Sequence, residues 1–144
     1  MLQRMSMTCP PGWQDKSMLI LSAPNPGESG VTPNMVVTQL PPPTDLPADP
    51  QARMNALLDR QVAEMAEQLA GFREVSRRVD AQDDRAMAEL KVDWHNAQAK
   101  LTQNLTFVRD AEGGFIVATA TAGRGEFAEA DPLFRDMLKS FRLG

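Results

Sequence analysis

Residues 86–122, AMAELKVDWHNAQAKLTQNLTFVRDAEGGFIVATATA, decide the fold. Their apolar residues recur at every second position through two tight turns, so the stretch reads as three consecutive antiparallel strands, each with one buried and one wetter face. In the first strand Ala86, Ala88, Leu90, Val92 and Trp94 share one phase, and Met87, Glu89, Lys91, Asp93 and His95 the other. In the second, Ala97, Ala99, Leu101, Leu105 and Phe107 alternate with Gln98, Lys100, Thr102, Asn104 and Thr106, and His95-Asn96 serves as a two-residue hairpin turn. Asp110-Ala111-Glu112-Gly113-Gly114 then turns the chain into a third strand, Phe115 to Ala122, rich in β-branched residues.

Working outward, residues 2 to 9 alternate Met5, Met7 and Cys9 with Arg4, Ser6 and Thr8, which predicts a first strand ended by Pro10-Pro11-Gly12. Ser17 to Ala23 holds the unbroken apolar run Met18-Leu19-Ile20-Leu21 and reads as a strand covered on both faces. Asn34 to Leu40 supplies a third strand, and the four prolines between Pro41 and Pro47 make an extended connector. Asp49 as cap, Pro50 in the first turn and Gly71 at the end bracket a helix over 50–70, with Leu58, Val62, Met65, Leu69 and Phe72 on one stripe. Its charges, Arg53, Asp59, Arg60, Glu64 and Glu67, read as a solvated side. Glu74 to Val79 forms another strand, followed by a polar turn at 80–84. Asp131-Pro132 opens a second amphipathic helix over 132–141, carrying Leu133, Phe134, Met137, Leu138 and Phe141. The expected architecture is α+β: one antiparallel sheet of six or seven strands with two helices, in a single domain spanning 1–144.

Composition limits the function. A chain of 144 residues buries roughly 68–70% of its unfolded surface and folds without staples. Its one cysteine, Cys9, excludes a disulfide framework within the chain. A net charge of -4 with scattered basic residues gives no footprint for nucleic acid. No stretch of about 18 apolar residues is present, and the opening residues lack an apolar signal core, so the expectation is a cytoplasmic protein without stable membrane insertion.

No motif carries chemistry. His95 is the only histidine and has no nucleophile or paired ligand near it in sequence, so it reads as a turn residue. Asp80, Asp83 and Asp84 lack the glycine and the terminal glutamate of a calcium loop. Gly123-Arg124-Gly125 follows no phosphate-binding pattern and reads as a strand-to-helix loop. Asn104-Leu105-Thr106 matches a glycosylation acceptor only formally, inside a strand. No catalytic residue, metal site or cofactor is expected. Five of the nine methionines, in contrast, lie in the first 35 residues, beside strands with apolar residues on both phases. Methionine suits surfaces that accept varied apolar partners.

Pro11-Gly12-Trp13-Gln14-Asp15-Lys16-Ser17, the proline-rich entry to the long helix, Trp94-His95-Asn96-Ala97-Gln98 leading into Leu101-Thr102-Gln103, and the closing Asp131-Pro132-Leu133-Phe134 together resemble the DcrB-like family, a branch of the Mog1/PsbP-like folds. Short members of this size resemble the Eag chaperones of type VI secretion. The resemblance implies a homodimeric, non-enzymatic chaperone that shields the N-terminal transmembrane segments of a secreted effector and aids its loading. Leu19, Ile20, Leu21, Met35 and Val37 are the candidate lining of a client groove. Gln103 interrupts an apolar phase and is better placed than Gln98 to hydrogen-bond a helix rich in small residues; the alternative is a core glutamine satisfied by its neighbours. A regulatory interaction domain that binds a folded partner through a polar surface is the second functional reading.

Overall fold

Alternation needs a neighbour to become a sheet, and the middle of the chain supplies its own. A computed structural model describes residues 5–81 and 87–142. Strands β1 (Leu19–Ser22), β2 (Asn34–Leu40), β3 (Arg73–Asp80), β4 (Met87–His95), β5 (Lys100–Arg109) and β6 (Phe115–Gly123) form one sheet in the order β1-β2-β6-β5-β4-β3. Every pairing is antiparallel. The β4-β5-β6 meander lies in the middle, so the stretch that decides the fold is also its centre.

Helix α1 (Pro50–Gln68) begins as its sequence requires: the Asp49 carboxylate accepts from the Ala52 N–H at 2.9 Å and Pro50 takes the first turn. It packs on β3 and β4 and closes a core of Met54, Leu57, Leu58, Leu90, Val92, Phe107 and Phe115. Two of its charged residues are not merely solvated. Arg53 donates to the Pro47 and Ala48 carbonyls and Arg60 to those of Thr44 and Asp45, which fastens the proline-rich connector to the helix.

Helix α2 (Phe127–Ser140) lies on the opposite face. There Ala118, Ala120 and Ala122 of β6 are small enough to admit Phe127 and Phe134, which contact each other at 5.6 Å between ring centres and pack with Met35. This second layer buries Thr102, Asn104 and Thr106, the phase that the alternation assigned to the wetter face.

Four expectations are corrected. Residues 5–9 form no strand; Met5 and Met7 are almost fully exposed, because no neighbouring strand lies beside them to pair with. The strand at 19–22 is an exposed edge, not one covered on both faces. The β4-β5 turn spans Asn96–Ala99, so Ala97 and Ala99 are not strand residues; the Asn96 side chain accepts from the Gln98 and Ala99 N–H groups, leaving His95 as the last residue of β4. Helix α2 starts at Phe127 with Pro132 inside it, not at an Asp131 cap. The proline removes a bond to the carbonyl of Ala128, an exposed residue near the helix start where water can replace it. Positions 2–4, Ala86 and most of the 80–84 turn fall outside the described residues.

Candidate functional site

A residue on one strand faces the same side as its paired partner, so the register sorts the candidate residues into two groups. Leu19 pairs with Val37 and Leu21 with Met35, and β6 continues these rows with Ala118 and Ala120, on the α2 side. Ile20 pairs with Val36 and then Thr119, on the α1 side, where Gln103 pairs with Thr121. The six candidates therefore do not make one surface. Met35 is buried in the α2 core, Val37 is half-buried, and Leu19 and Leu21 are each 45% exposed at the edge.

The α1 face is the more open one. Ile20, Val36 and Thr119 lie outside the core that α1 closes; Ile20 is 58% exposed and the other two are half-buried. Beside this row a polar relay crosses three strands. The Trp94 indole N–H donates to Gln103 Oε1 at 2.8 Å, and Gln103 Nε2 donates to Thr121 Oγ1 at 3.0 Å. The amide is thus satisfied within the sheet, while the half-buried side chain retains one N–H and one oxygen lone pair. Gln103→Ala should lower stability by about 1 kcal/mol, because the Trp94 N–H and the Thr121 hydroxyl lose their partner. Chemical denaturation reads the change. Sequence alternation could not have found Thr119 in the row of Ile20, because the pairing of β2 with β6 brings together residues about a hundred positions apart.

The far end of the sheet holds an ion cluster around one buried carboxylate. Asp93 is 5% exposed and accepts from Thr102 Oγ1 at 2.6 Å and from Arg73 at 2.9 Å. Arg124 turns inward: its Nη2 donates to the Trp94 carbonyl at 3.1 Å and its Nε lies 3.6 Å from Asp93. Burial pushes the Asp93 carboxyl up, but the Thr102 and Arg73 hydrogen bonds and the Arg124 charge together hold it below the usual carboxylate range. The Gly123-Arg124-Gly125 triplet therefore serves a structural ion pair and not a phosphate cradle. A second tie fixes the other loop end. The Glu126 carboxylate accepts from the Ser29 N–H at 2.7 Å and its hydroxyl at 2.9 Å, and these bonds hold its pKa down. Gly27 and Gly123 both lie against that carboxylate, where a Cβ would clash. The β1-β2 loop is thereby held to the start of α2.

Among the described residues no group of three or more His, Cys, Asp or Glu side chains is placed to hold a metal ion, and no helix is long and apolar enough to cross a membrane. His95 is exposed at the end of β4, its ring against Gly71 and its N–H on the Ala70 carbonyl.

The family model for DcrB matches residues 5–140. The chain belongs to the DcrB family. Among solved structures, it is similar to a Pseudomonas aeruginosa protein of unknown function, proposed as a regulator, with a TM-score of 0.75 and 19% identity over 94% of this chain and 89% of that one. It is also similar to the solution structure of PsbP from the cyanobacterium Synechocystis, with a TM-score of 0.56 and 9% identity over 88% and 82% of the two chains. At these identities the likeness shows the fold: this DcrB-family chain has the PsbP-like architecture, six antiparallel strands and two helices. No curated protein matches the chain.

Proposed function

We propose that this DcrB-family chain is a cytoplasmic, non-enzymatic chaperone that holds the apolar N-terminal helices of a type VI secretion effector and aids their loading. One observation carries the reading: four consecutive apolar residues at the sheet edge, Met18, Leu19, Ile20 and Leu21, are 57, 45, 58 and 45% exposed. Natural edges are normally guarded by charges, proline or a covering element, and none of these guards lies within β1. A transmembrane helix in water exposes apolar area worth about 25 cal/mol per Å² on burial, so it aggregates unless such a surface receives it. Ile20 and Val36 supply the apolar floor with Thr119 next in the row, and the Gln103 amide beside them offers its remaining hydrogen-bonding capacity to a helix of small residues. Leu19, Leu21 and Val37 extend the apolar edge to the other side.

The same edge supports a homodimer. Pairing β1 with its copy about a two-fold axis covers the unpaired strand and joins two open faces into one longer floor. Light scattering at tens of micromolar should give twice the chain mass; a monomer would remove this arrangement. The second reading, a regulatory domain for a folded partner, draws on the regulator proposed for the Pseudomonas aeruginosa relative. Co-expression with a type VI effector whose N-terminal segment carries apolar helices separates the two. A chaperone keeps the effector's apolar N-terminal segment soluble and co-purifies with it, whereas a regulatory domain leaves it insoluble.

A further inference from the structure

On the face opposite Ile20, α2 does not close fully on the strands. Between its C-terminal half and β2, β4, β5 and β6 lies a cavity of about 450 Å³, within the range of small-molecule sites. Val37, Met87, Val108, Ile116, Leu138 and Phe141 make its walls apolar. Thr106 also lines it and is only 7% exposed, yet its Oγ1 has no hydrogen-bond partner among the described residues. A buried hydroxyl without a partner is rare in a folded chain and calls for an explanation. At the mouth Arg135 is engaged by Asp131 and, at 3.4 Å, by Glu89. Lys139 and Arg142 line the same mouth, and the ion pairs among the described residues give neither a carboxylate. Arg142 Nη1 instead donates to the Lys139 and Phe141 carbonyls. A chain of net charge -4 thus presents at the lip of an apolar cavity two cations that pair with no carboxylate among the described residues.

We infer that this cavity binds one single-chain amphiphile, a medium-chain fatty acid bearing a hydroxyl on its chain. The carbon chain fills the apolar walls, the chain hydroxyl pairs with Thr106, and the carboxylate meets Lys139 and Arg142. The volume equals roughly fifteen liquid waters at ~30 Å³ each, which suits one chain and not the two chains of a bilayer lipid. The site lies on the opposite face from the row of Ile20, Val36 and Thr119 and shares only Val37 with the proposed client edge, so it stands whether or not the helix-binding reading holds.

Calorimetric titration of the full chain with decanoate, 3-hydroxydecanoate and decanol, each below its micelle concentration, tests the inference. Both acids should saturate one site, the hydroxylated acid about fivefold more tightly, as one good hydrogen bond gives. Decanol should bind more weakly than either. Thr106→Val keeps the side-chain shape and should abolish the hydroxyl preference while decanoate binding holds. It should also melt no lower than wild type, because the hydroxyl it removes had no partner. Lys139→Gln combined with Arg142→Gln should weaken both acids about tenfold and leave decanol unchanged, and Ile20→Asp should change nothing. Absence of saturation, equal affinity for acid and alcohol, or acid binding lost in Ile20→Asp would overturn the inference. Binding to anionic phospholipid vesicles with no binding of the free acids would overturn it in favour of a membrane surface.

Discussion

Ile20→Asp should abolish capture of the effector's apolar segment while the chain stays folded. Ile20 belongs to neither hydrophobic core and is 58% exposed, so the substitution leaves the packing of both helices intact and should change stability by only about 0.5 kcal/mol. Once an apolar helix covers the position, however, the carboxylate loses its water beside Val36 and Thr119 and finds no cation across β2 or β6 in its row. Burying an unpaired charge costs several kcal/mol, a loss of affinity of about a hundredfold or more. A charge at the edge also opposes strand pairing between copies, so a second variant separates the two effects. Thr119→Asp lies on the same face two strands in from the edge, and should lose the client while light scattering still gives a dimer. Leu133→Asp, on the exposed side of α2 at 61% exposure, should lose neither.

The second large effect concerns the fold. Asp93→Ala should lower stability by about 2–3 kcal/mol, since it deletes the charge-assisted hydrogen bonds from Thr102 and Arg73, leaves the buried Thr102 hydroxyl without an acceptor and takes from Arg124 the carboxylate that its Nε faces at 3.6 Å. The pH dependence has a definite sign. The folded carboxyl titrates below its unfolded value of about 3.9, so its stabilisation is fully present above that value and disappears as pH falls through the lower folded one. Urea unfolding should therefore show wild type and Asp93→Asn furthest apart near neutrality and converging below about pH 4. A gap that widened on acidification would contradict the ion cluster.

Much of this architecture is legible because a strand writes its two faces into alternate residues. Ala88, Leu90 and Val92 on β4, and Leu105 and Phe107 on β5, are buried on the phase that alternation selects. What alternation cannot say is whether a neighbour exists. Met5 and Met7 repeat the pattern without any strand beside them, while Thr102, Asn104 and Thr106 look wet and are buried because α2 lies over them. Helix starts are read from proline and cap, which places α2 at Asp131. Phe127, two turns before Phe134 on the same stripe, is the packing residue that extends the helix backwards.

The candidate site was legible as composition and not as a surface. Met18 to Leu21 stand out in any reading as an unbroken apolar run, but their exposure follows from β1 being the sheet edge, which is a property of strand order. That Leu19 and Ile20 face opposite sides follows from local geometry. That Ile20 shares its row with Thr119 follows from a pairing between residues about a hundred positions apart, which no local pattern records. Gln103 stands out as polar in an apolar phase; that its partners are Trp94 and Thr121 depends on the same long-range register.

Photo-cross-linking from a benzoylphenylalanine placed at position 20 tests the central claim most directly. In cells that co-express a type VI effector with apolar N-terminal helices, position 20 should cross-link to that apolar segment, and the same probe at position 133 should not. Cross-links from 133 alone, or from neither position while the two proteins still co-purify, would contradict a client surface on the β1-β2-β6 face.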